Sequence, residues 1–381
     1  MSAFPRLAAV TGLLLATAAQ AQTHTATLLA RPSGASSCYE TANLVWLAAN
    51  GDVATRCDFP QTFQAFFNAL TGAGGPVYSS RSVVWRGGSA TAKTLSGTTA
   101  QPKTQVQGAQ ADGAILGTIY NSTSSTPSIW RGTTRSNYAL PAGYTGWQLE
   151  RTSRDGQTLL ISLKDNSRFQ LGMALVKGGV ATKLPTPPLA CGTYGASAER
   201  HQWLLNSQGQ VAILRARKVT NALLGYTSTV GKVCLYQSGD WVVSDDTPVY
   251  YDEYGVDNRS YGMDLMAFSD SGEVLIDQRG RYTWQPSVGF KQPDAAVVGY
   301  GHGSDVLGGT PPSDSTITAE ASVWRNGQAL PLTAFAPAPA GYRYTTALGT
   351  TAAGHILALA VPSSATVITS GGARLVLLKP R

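Results

Sequence analysis

Apolar and polar residues alternate along most of the chain in short runs, a pattern typical of β-strands that bury one face. These runs are rich in Val, Ile, Thr, Tyr and Trp, and they are separated by Gly, Pro, Asn and Ser. Residues 61–70 differ, because their apolar side chains share one helical face: Phe63, Phe66, Phe67 and Leu70. The pattern therefore predicts an all-β protein with one short helical stripe.

A strand motif that contains Trp, or a substitute for it, recurs seven times. Three copies are nearly identical: Val84-Trp85-Arg86-Gly87, Ile129-Trp130-Arg131-Gly132 and Val323-Trp324-Arg325-Asn326-Gly327. Four copies are degenerate: Leu175-Val176-Lys177-Gly178, Leu235-Tyr236-Gln237-Ser238-Gly239, Thr283-Trp284-Gln285-Pro286 and Val376-Leu377-Leu378-Lys379. From Trp85 to Leu377 the copies recur about every 49 residues, so seven units fill the chain.

A second motif, a Gly-containing turn that leads into an apolar strand, precedes each copy of the first. Its seven glycines are Gly51, Gly113, Gly156, Gly209, Gly272, Gly303 and Gly354. Glycine adopts a positive φ without steric cost, so each of these positions predicts a tight turn between two strands.

A repeat of this length with three or four strands per unit predicts a β-propeller, in which every blade buries its faces against two neighbours. We expect seven blades of about 50 residues in one domain over residues 22–381, with residues 55–80 as an insertion in the first unit. Six or eight blades are the alternatives, because the first unit is long and the unit around Gly303 is weak. Alternation along the strand predicts that each Trp packs between blades while the adjacent Arg faces solvent.

The motifs resemble those of the exported HAF-repeat proteins, in which a G-x-V-x-G strand alternates with an A-x-x-W-x-x-G strand. The most similar segments are Ala321-Ser322-Val323-Trp324-Arg325-Asn326-Gly327 and Leu307-Gly308-Gly309. The His-Ala-Phe triplet of that family is absent from this chain. The resemblance implies an exported, propeller-like protein, and it implies no catalytic residue.

Residues 1–21 have the pattern of a signal peptide. Arg6 precedes an apolar run over residues 7–17, and Ala19-Gln20-Ala21 is a small-x-small cleavage site. No later stretch is long and apolar enough to predict a membrane span. We therefore expect a secreted or periplasmic protein.

Four cysteines follow the predicted signal peptide: Cys38, Cys57, Cys191 and Cys234. An even number of cysteines in an exported chain predicts disulfides. Among the three possible connectivities we favour Cys38–Cys57 with Cys191–Cys234, because these pairs close the shortest loops.

The charge pattern argues against nucleic acid as a partner. The chain has a net charge of +7, but charged residues make up 13% of it and the cations are scattered. Its four His residues are not spaced as metal ligands, so no cofactor is expected. We expect a monomer.

The most polar segment is residues 245–259, in which acidic residues and three Tyr are crowded together. Tyr and carboxylate side chains are common where proteins recognise carbohydrates or peptides. The candidate ligand-binding residues are Tyr250, Tyr251, Asp252, Glu253, Tyr254 and Asp257. The same carboxylates could instead hold Ca²⁺, or the segment could be a solvated loop between blades.

Two other candidate sites have simpler structural interpretations. Residues 301–305 contain a His, a Ser and an Asp, but groups adjacent in sequence do not converge as a triad, and the repeat predicts a turn here. The Trp-Arg pairs could bind sugars, yet neighbours in a strand face apart.

We expect a non-enzymatic exported scaffold that binds a polymer, peptide or envelope partner. The alternative is a secreted glycan hydrolase or lyase with acid and base carboxylates from several blades.

Overall fold

A computed structural model describes twelve segments of the chain: residues 23–38, 45–60, 78–139, 146–164, 170–191, 200–221, 226–247, 263–277, 281–293, 297–311, 316–369 and 371–381. Within them the chain forms strands β1 to β29 and two single turns of 3-10 helix, at Leu189–Cys191 and Leu332–Ala334. The strands form seven antiparallel sheets, which follow one another along the chain as the blades of a propeller.

Blades 2 to 4 are meanders of consecutive strands, whereas in blade 1 the first two strands both pair with the one that follows them. Blade 1 contains β2 (Ser37–Cys38), β3 (Val45–Leu47), β4 (Val53–Pro60), β5 (Tyr78–Trp85) and β6 (Ala92–Thr94). Blade 2 contains β7 (Lys103–Ala109), β8 (Ile115–Tyr120), β9 (Ser125–Arg131) and β10 (Thr134–Asn137). Blade 3 contains β11 (Gly146–Thr152), β12 (Thr158–Lys164), β13 (Gln170–Lys177) and β14 (Val180–Lys183). Blade 4 contains β15 (Arg200–Leu205), β16 (Val211–Asn221), β17 (Tyr226–Gln237) and β18 (Asp240–Asp246).

The last three blades complete the ring. Blade 5 contains β19 (Asp264–Phe268), β20 (Val274–Asp277), β21 (Arg281–Gln285) and β22 (Gly289–Lys291). Blade 6 contains β23 (Val297–Tyr300), β24 (Val306–Gly308), β25 (Ser322–Arg325) and β26 (Gln328–Pro331). Blade 7 contains β27 (Tyr342–Thr350), β28 (Ile356–Pro362), β29 (Arg374–Pro380) and β1 (His24–Leu28). The prediction of a seven-bladed propeller is confirmed.

The first strand of the chain closes the last blade. β1 pairs antiparallel with β29, in a register that runs from His24 opposite Pro380 to Leu28 opposite Val376. Beyond the strand, the backbone N–H of Arg381 donates to the Thr23 carbonyl over 3.0 Å. The two ends of the described chain are therefore hydrogen-bonded to each other, and this pairing closes the ring.

The Gly turns have the predicted conformation. All seven motif glycines have a positive φ, between 63° at Gly303 and 87° at Gly272. Each turn joins the innermost strand of its blade to the second strand, so these seven turns surround one end of the central channel. Residues 301–305 form such a turn, as expected.

Hydrophobic clusters lie at the interfaces between neighbouring blades, and the repeat Trp residues contribute to them. Trp85 is buried between blades 7 and 1, Trp130 between blades 1 and 2, and Trp284 between blades 4 and 5. Trp85 and Trp130 also donate their indole N–H to a backbone carbonyl, at Ala30 and Ser96 respectively. The predicted packing role of these Trp residues is confirmed.

The predicted solvent-facing role of the adjacent Arg is confirmed for Arg131, whose side chain is 63% exposed, and is wrong for Arg86 and Arg325. Arg86 forms an ion pair of 2.7 Å with Asp52, and Arg325 binds both carboxylate oxygens of Asp305 at 2.9 and 3.0 Å. The antiparallel register explains these pairs, because the residue after the Trp lies opposite the residue that precedes the second strand. Each Arg therefore ties its third strand to the Gly turn of the same blade.

Both disulfides have the predicted pairing. Cys38 and Cys57 are opposite each other in β2 and β4, and they are bonded. Cys191, in the segment before blade 4, is bonded to Cys234 in β17. Each bridge therefore fixes local chain geometry within or beside one blade.

Part of the predicted insertion belongs to the blade itself. Residues 55–60 lie in β4 and residues 78–80 lie in β5, while residues 61–77, with the helical stripe, lie outside the described residues. None of the described helices is long and apolar enough to cross a membrane.

His355, beside the junction of blades 7 and 1, makes stability depend on pH. Its ring lies near Lys379 of β29 and His24 of β1, and its Nδ1 is 3.4 Å from the Thr351 hydroxyl. Burial lowers the pKa of His355, and Lys379 and His24 lower it further, against a hydrogen bond with the Ala49 backbone. The unfolded chain therefore binds this proton more readily than the folded protein.

We expect stability to fall as the pH decreases below about 6.5, the pKa of an unperturbed His, because the neutral ring is favoured in the folded state. His355→Gln should reduce this loss relative to the wild-type protein. Urea unfolding midpoints at pH 7.5 and 5.5 for both proteins measure the effect. Equal decreases in the two proteins would exclude His355 as the cause.

Candidate functional site

The residues that sequence reasoning placed in a binding site lie outside the described residues. Tyr250, Tyr251, Asp252, Glu253, Tyr254 and Asp257 belong to residues 248–262, which connect β18 to β19. Their role in ligand or Ca²⁺ binding stays a prediction. In the part of the chain that the structure describes, no three His, Cys, Asp or Glu side chains gather as a metal site.

The central channel contains a small cavity at the end where the Gly turns lie. The cavity has a volume of about 120 Å³, and residues from the innermost strands of all seven blades line it. Arg154, in the Gly turn of blade 3, donates from Nη1 to the Gly301 carbonyl of blade 6. This side chain crosses the channel, so the channel is obstructed at this end.

A larger cavity of about 620 Å³ lies between blades 5 and 6. We call it the blade 5–6 cleft, and its principal lining residues are Glu273, Thr283, Lys291, Tyr300, Trp324 and Asn326. It exists because the hydrophobic cluster at this interface is small, with four buried members: Ala267, Leu275, Val297 and Tyr300. Its volume is within the range of about 300 to 1,000 Å³ that is usual for small-molecule sites.

Trp324 occupies the repeat position that is fully buried at Trp85 and Trp130, but here the ring faces the cleft and is partly exposed. The ring packs over Gly308, where a Cβ atom would come within 1.9 Å of its Cζ3. Unlike Trp85 and Trp130, Trp324 has no hydrogen-bond partner for its indole N–H among the described residues. One face of a large aromatic ring is therefore available to a ligand.

Two buried hydroxyl groups, in residues that line the cleft, have no hydrogen-bond partner in the described part of the chain. They are Thr283 Oγ1 and Tyr300 Oη, in residues that are 2% and 3% exposed. Buried polar atoms are nearly always paired, so two unpaired hydroxyl groups beside one cavity are unusual.

The Tyr300 phenol is protonated at physiological pH and can donate a hydrogen bond. Burial raises its pKa, and the neighbouring Glu273 carboxylate raises it further, although that carboxylate does not meet the hydroxyl in hydrogen-bond geometry. Glu273 instead forms an ion pair with Lys291, whose Nζ is 3.4 Å from Glu273 Oε1. The cleft therefore combines an aromatic face, two free hydroxyls and a neutralised charge pair.

Sequence reasoning did not predict this site. Trp324 and Thr283 belong to copies of the repeat motif, which indicated core packing, while Lys291 belongs to no motif. The unit around Gly303 matches the repeat pattern less well than the other units. This was the one sequence feature that pointed to the cleft, because that unit forms the blade that packs poorly against blade 5.

A pair of carboxyl groups lies at the opposite end of blade 5. Asp264 in β19 faces Asp277 in β20, and the Gln202 amide donates to Asp264 over 2.6 Å. Burial raises the pKa of Asp277 and Asp264 raises it further, while Arg281 opposes the shift. Among the described residues this pair comes from one blade, whereas the predicted hydrolase or lyase would use carboxylates from several.

No family model matches the chain, and no curated protein matches it. Among solved structures it is similar to the β-propeller domain of the Trilobed protease from Pyrococcus furiosus, with 9% identity and a TM-score of 0.44 over 85% of this chain and 94% of that one. It is similar to Pyrococcus horikoshii acylaminoacyl peptidase, with 9% identity and a TM-score of 0.45 over 87% of this chain and 50% of that one. It is also similar to Penicillium chrysogenum α-L-arabinanase complexed with arabinobiose, with 11% identity and a TM-score of 0.36 over 93% and 98%. No residue role is transferred from these proteins.

Proposed function

We propose that the protein is a non-enzymatic exported binding protein that holds a sugar unit of a glycan in the blade 5–6 cleft. The observation that carries the proposal is the pair of buried, unpartnered hydroxyls of Thr283 and Tyr300 beside the open face of Trp324. The resemblance to exported HAF-repeat proteins supports the exported location and says nothing of the ligand.

A sugar matches the chemistry of this cleft. Its ring has an apolar C–H face that can pack on Trp324, and its hydroxyls both donate and accept hydrogen bonds. Thr283 and Tyr300 each need one such partner, and both residues line the same cavity as Trp324. A peptide backbone presents one donor and one acceptor per residue in fixed alternation, so it matches two clustered hydroxyls less well.

Removing either free hydroxyl should weaken ligand binding without destabilising the protein. Thr283→Val and Tyr300→Phe each delete a buried polar group that has no partner, so the free energy of unfolding should stay equal or rise by about 1 kcal/mol. Ligand affinity should fall about tenfold, the equivalent of one hydrogen bond of about 1.4 kcal/mol. A glycan array identifies the ligand, and calorimetric titration with the best glycan measures the affinity.

Thr104→Val is the matched control. Thr104 is buried in β7 of blade 2, and its hydroxyl accepts a hydrogen bond from the Ser82 backbone N–H over 3.0 Å. This variant should lose about 1 kcal/mol of stability and keep its affinity. If Thr283→Val and Tyr300→Phe bind glycans as tightly as the control does, the cleft is not the binding site.

The alternative function, a glycan hydrolase or lyase, is favoured by one observation, the raised pKa of Asp277 beside Asp264. Acid–base catalysis on glycans requires a carboxyl group that donates a proton and a second that accepts one, and a raised pKa suits the donor. Release of reducing ends from the glycan found on the array tests this function. Loss of that release in Asp277→Asn would support it, and absence of any release from the wild-type protein would contradict it.

A further inference from the structure

The channel cavity is positively charged along its lining. Its described lining residues include two arginines, Arg151 and Arg154, and no carboxylate. The other polar lining residues are Gln107, Thr152, Tyr300 and Thr350, and the remainder are apolar or Gly. The cavity is distinct from the blade 5–6 cleft, although Tyr300 lines both.

Arg154 has no carboxylate partner within 4.0 Å among the described residues. Two carboxylates that attract it, Asp270 and Asp305, are hydrogen-bonded to other groups. Asp305 is held by Arg325 and accepts from the Thr350 hydroxyl over 2.7 Å. Asp270 accepts from the backbone N–H groups of Ser207 and Gly303. Among the described residues, the hydrogen-bond acceptor for the Arg154 guanidinium group is therefore the Gly301 carbonyl.

The hydrogen bonding of the Arg151 guanidinium group is also incomplete among the described residues. Its Nε donates to the Trp203 carbonyl and its Nη1 to the Glu150 carbonyl, each over 2.9 Å. Its Nη2, like that of Arg154, makes no hydrogen bond to the described residues. Burial lowers the pKa of Arg151, against the attraction of Glu150. Burial also lowers the pKa of Arg154, against the attraction of Asp270 and Asp305.

From this arrangement we propose that the channel cavity binds a small oxyanion between Arg151 and Arg154. Guanidinium groups bind phosphate, sulfate and carboxylate oxygens through directed pairs of N–H donors. A volume of about 120 Å³ admits an ion of this size and excludes a sugar unit of a glycan chain. The anion would neutralise two charges at the centre of the ring, where all seven blades meet.

The test measures the melting temperature and anion binding of the full chain in inorganic phosphate, sulfate and acetate, with NaCl at the same ionic strength as the reference. We expect a saturable increase in the melting temperature with an oxyanion and none with NaCl. The phosphate, sulfate and acetate arms distinguish a tetrahedral ion from a planar carboxylate. An increase that does not saturate, or one that NaCl reproduces, would overturn the proposal.

Arg151→Gln should abolish this increase, while Arg131→Gln should keep it. Arg131 is the matched control, because it loses the same charge from an exposed ion pair with Asp112 on the outside of blade 2. Retention of the full increase in Arg151→Gln would contradict the site. Should that variant not fold, broadening of the ³¹P resonance of phosphate by the wild-type protein, and its reversal by sulfate, decides the question. A phosphate line that the protein leaves unchanged, together with no effect of acetate on melting, rules the site out.

Discussion

A chain that lacks residues 1–29 is expected not to form a closed propeller, whereas a chain that lacks residues 1–22 is expected to fold. The longer deletion removes all of β1, which pairs with β29 along its whole length. It also removes Leu29, a buried member of the cluster between blades 7 and 1, and Leu28, which packs against the cluster between blades 6 and 7. β29 would then be an exposed apolar edge, a known cause of aggregation.

Cooperative thermal unfolding and gel filtration distinguish the two truncated chains. We expect one sharp transition and a monomeric elution volume from the shorter deletion, and aggregates or a broad transition from the longer one.

A permuted chain tests whether the strand itself, and not its position at the N-terminus, is what matters. In this chain residues 23–29 follow Arg381 through an Asn-Gly turn, which suits a two-residue hairpin. The Arg381–Thr23 hydrogen bond shows that the two ends are close enough for such a turn. We expect the permuted chain to recover the sharp transition. Normal folding of the chain without residues 1–29 would show that β1 is dispensable.

Asp52→Ala is expected to destabilise the protein by about 3 kcal/mol, while Asp112→Ala costs less than about 1 kcal/mol. Both residues pair with the Arg of their own repeat, but their burial differs. The Asp52 side chain is 5% exposed and also accepts from the Gly87 backbone N–H over 2.6 Å. The Asp112 side chain is 52% exposed, and its partner Arg131 is 63% exposed. Loss of Asp52 therefore leaves a largely enclosed Arg86 without its counterion.

Denaturant unfolding of the two variants measures this difference. Both changes remove an Asp that pairs with the repeat Arg from a Gly turn, although Asp52 follows its Gly and Asp112 precedes it, so Asp112→Ala controls for the loss of a turn carboxylate. Similar losses in the two variants would mean that burial does not determine the strength of the repeat ion pair.

Much of the fold can be predicted from the sequence, because each blade uses the same local chemistry. A glycine is required wherever the first turn of a blade has a positive φ, so the seven turns are visible as a repeating residue type. The Trp positions are visible because the space between blades needs a large flat side chain. The short loops of both disulfides made their pairing predictable.

The closing strand could not be predicted in this way. β1 belongs to blade 7 but is separated from β29 by most of the chain, and it contains neither repeat motif. The Arg–Asp pairs were missed for a related reason, because strand alternation describes one strand, whereas these pairs depend on the register between two strands.

The cleft was missed because it is a departure from the repeat. Trp324, which lines the cleft, lies in the same sequence motif as the buried Trp85 and Trp130. The difference is that blade 5 covers Trp324 less completely. That difference is a property of packing between blades, which no single motif contains. The acidic and Tyr-rich residues 245–259 stood out by composition, and composition alone does not show which side chains converge.

The pairing of β1 with β29 also sets a waiting time during synthesis. The ribosome makes β1 first and its partner last, some 350 residues later. At about 5 to 20 residues per second, β1 is without its partner for roughly 20 to 70 seconds. Six blades can assemble in that interval, but the circle cannot be sealed before the final residues emerge. A stalled or prematurely terminated chain would therefore keep β1 without its partner strand, and proteases could recognise that unpaired strand.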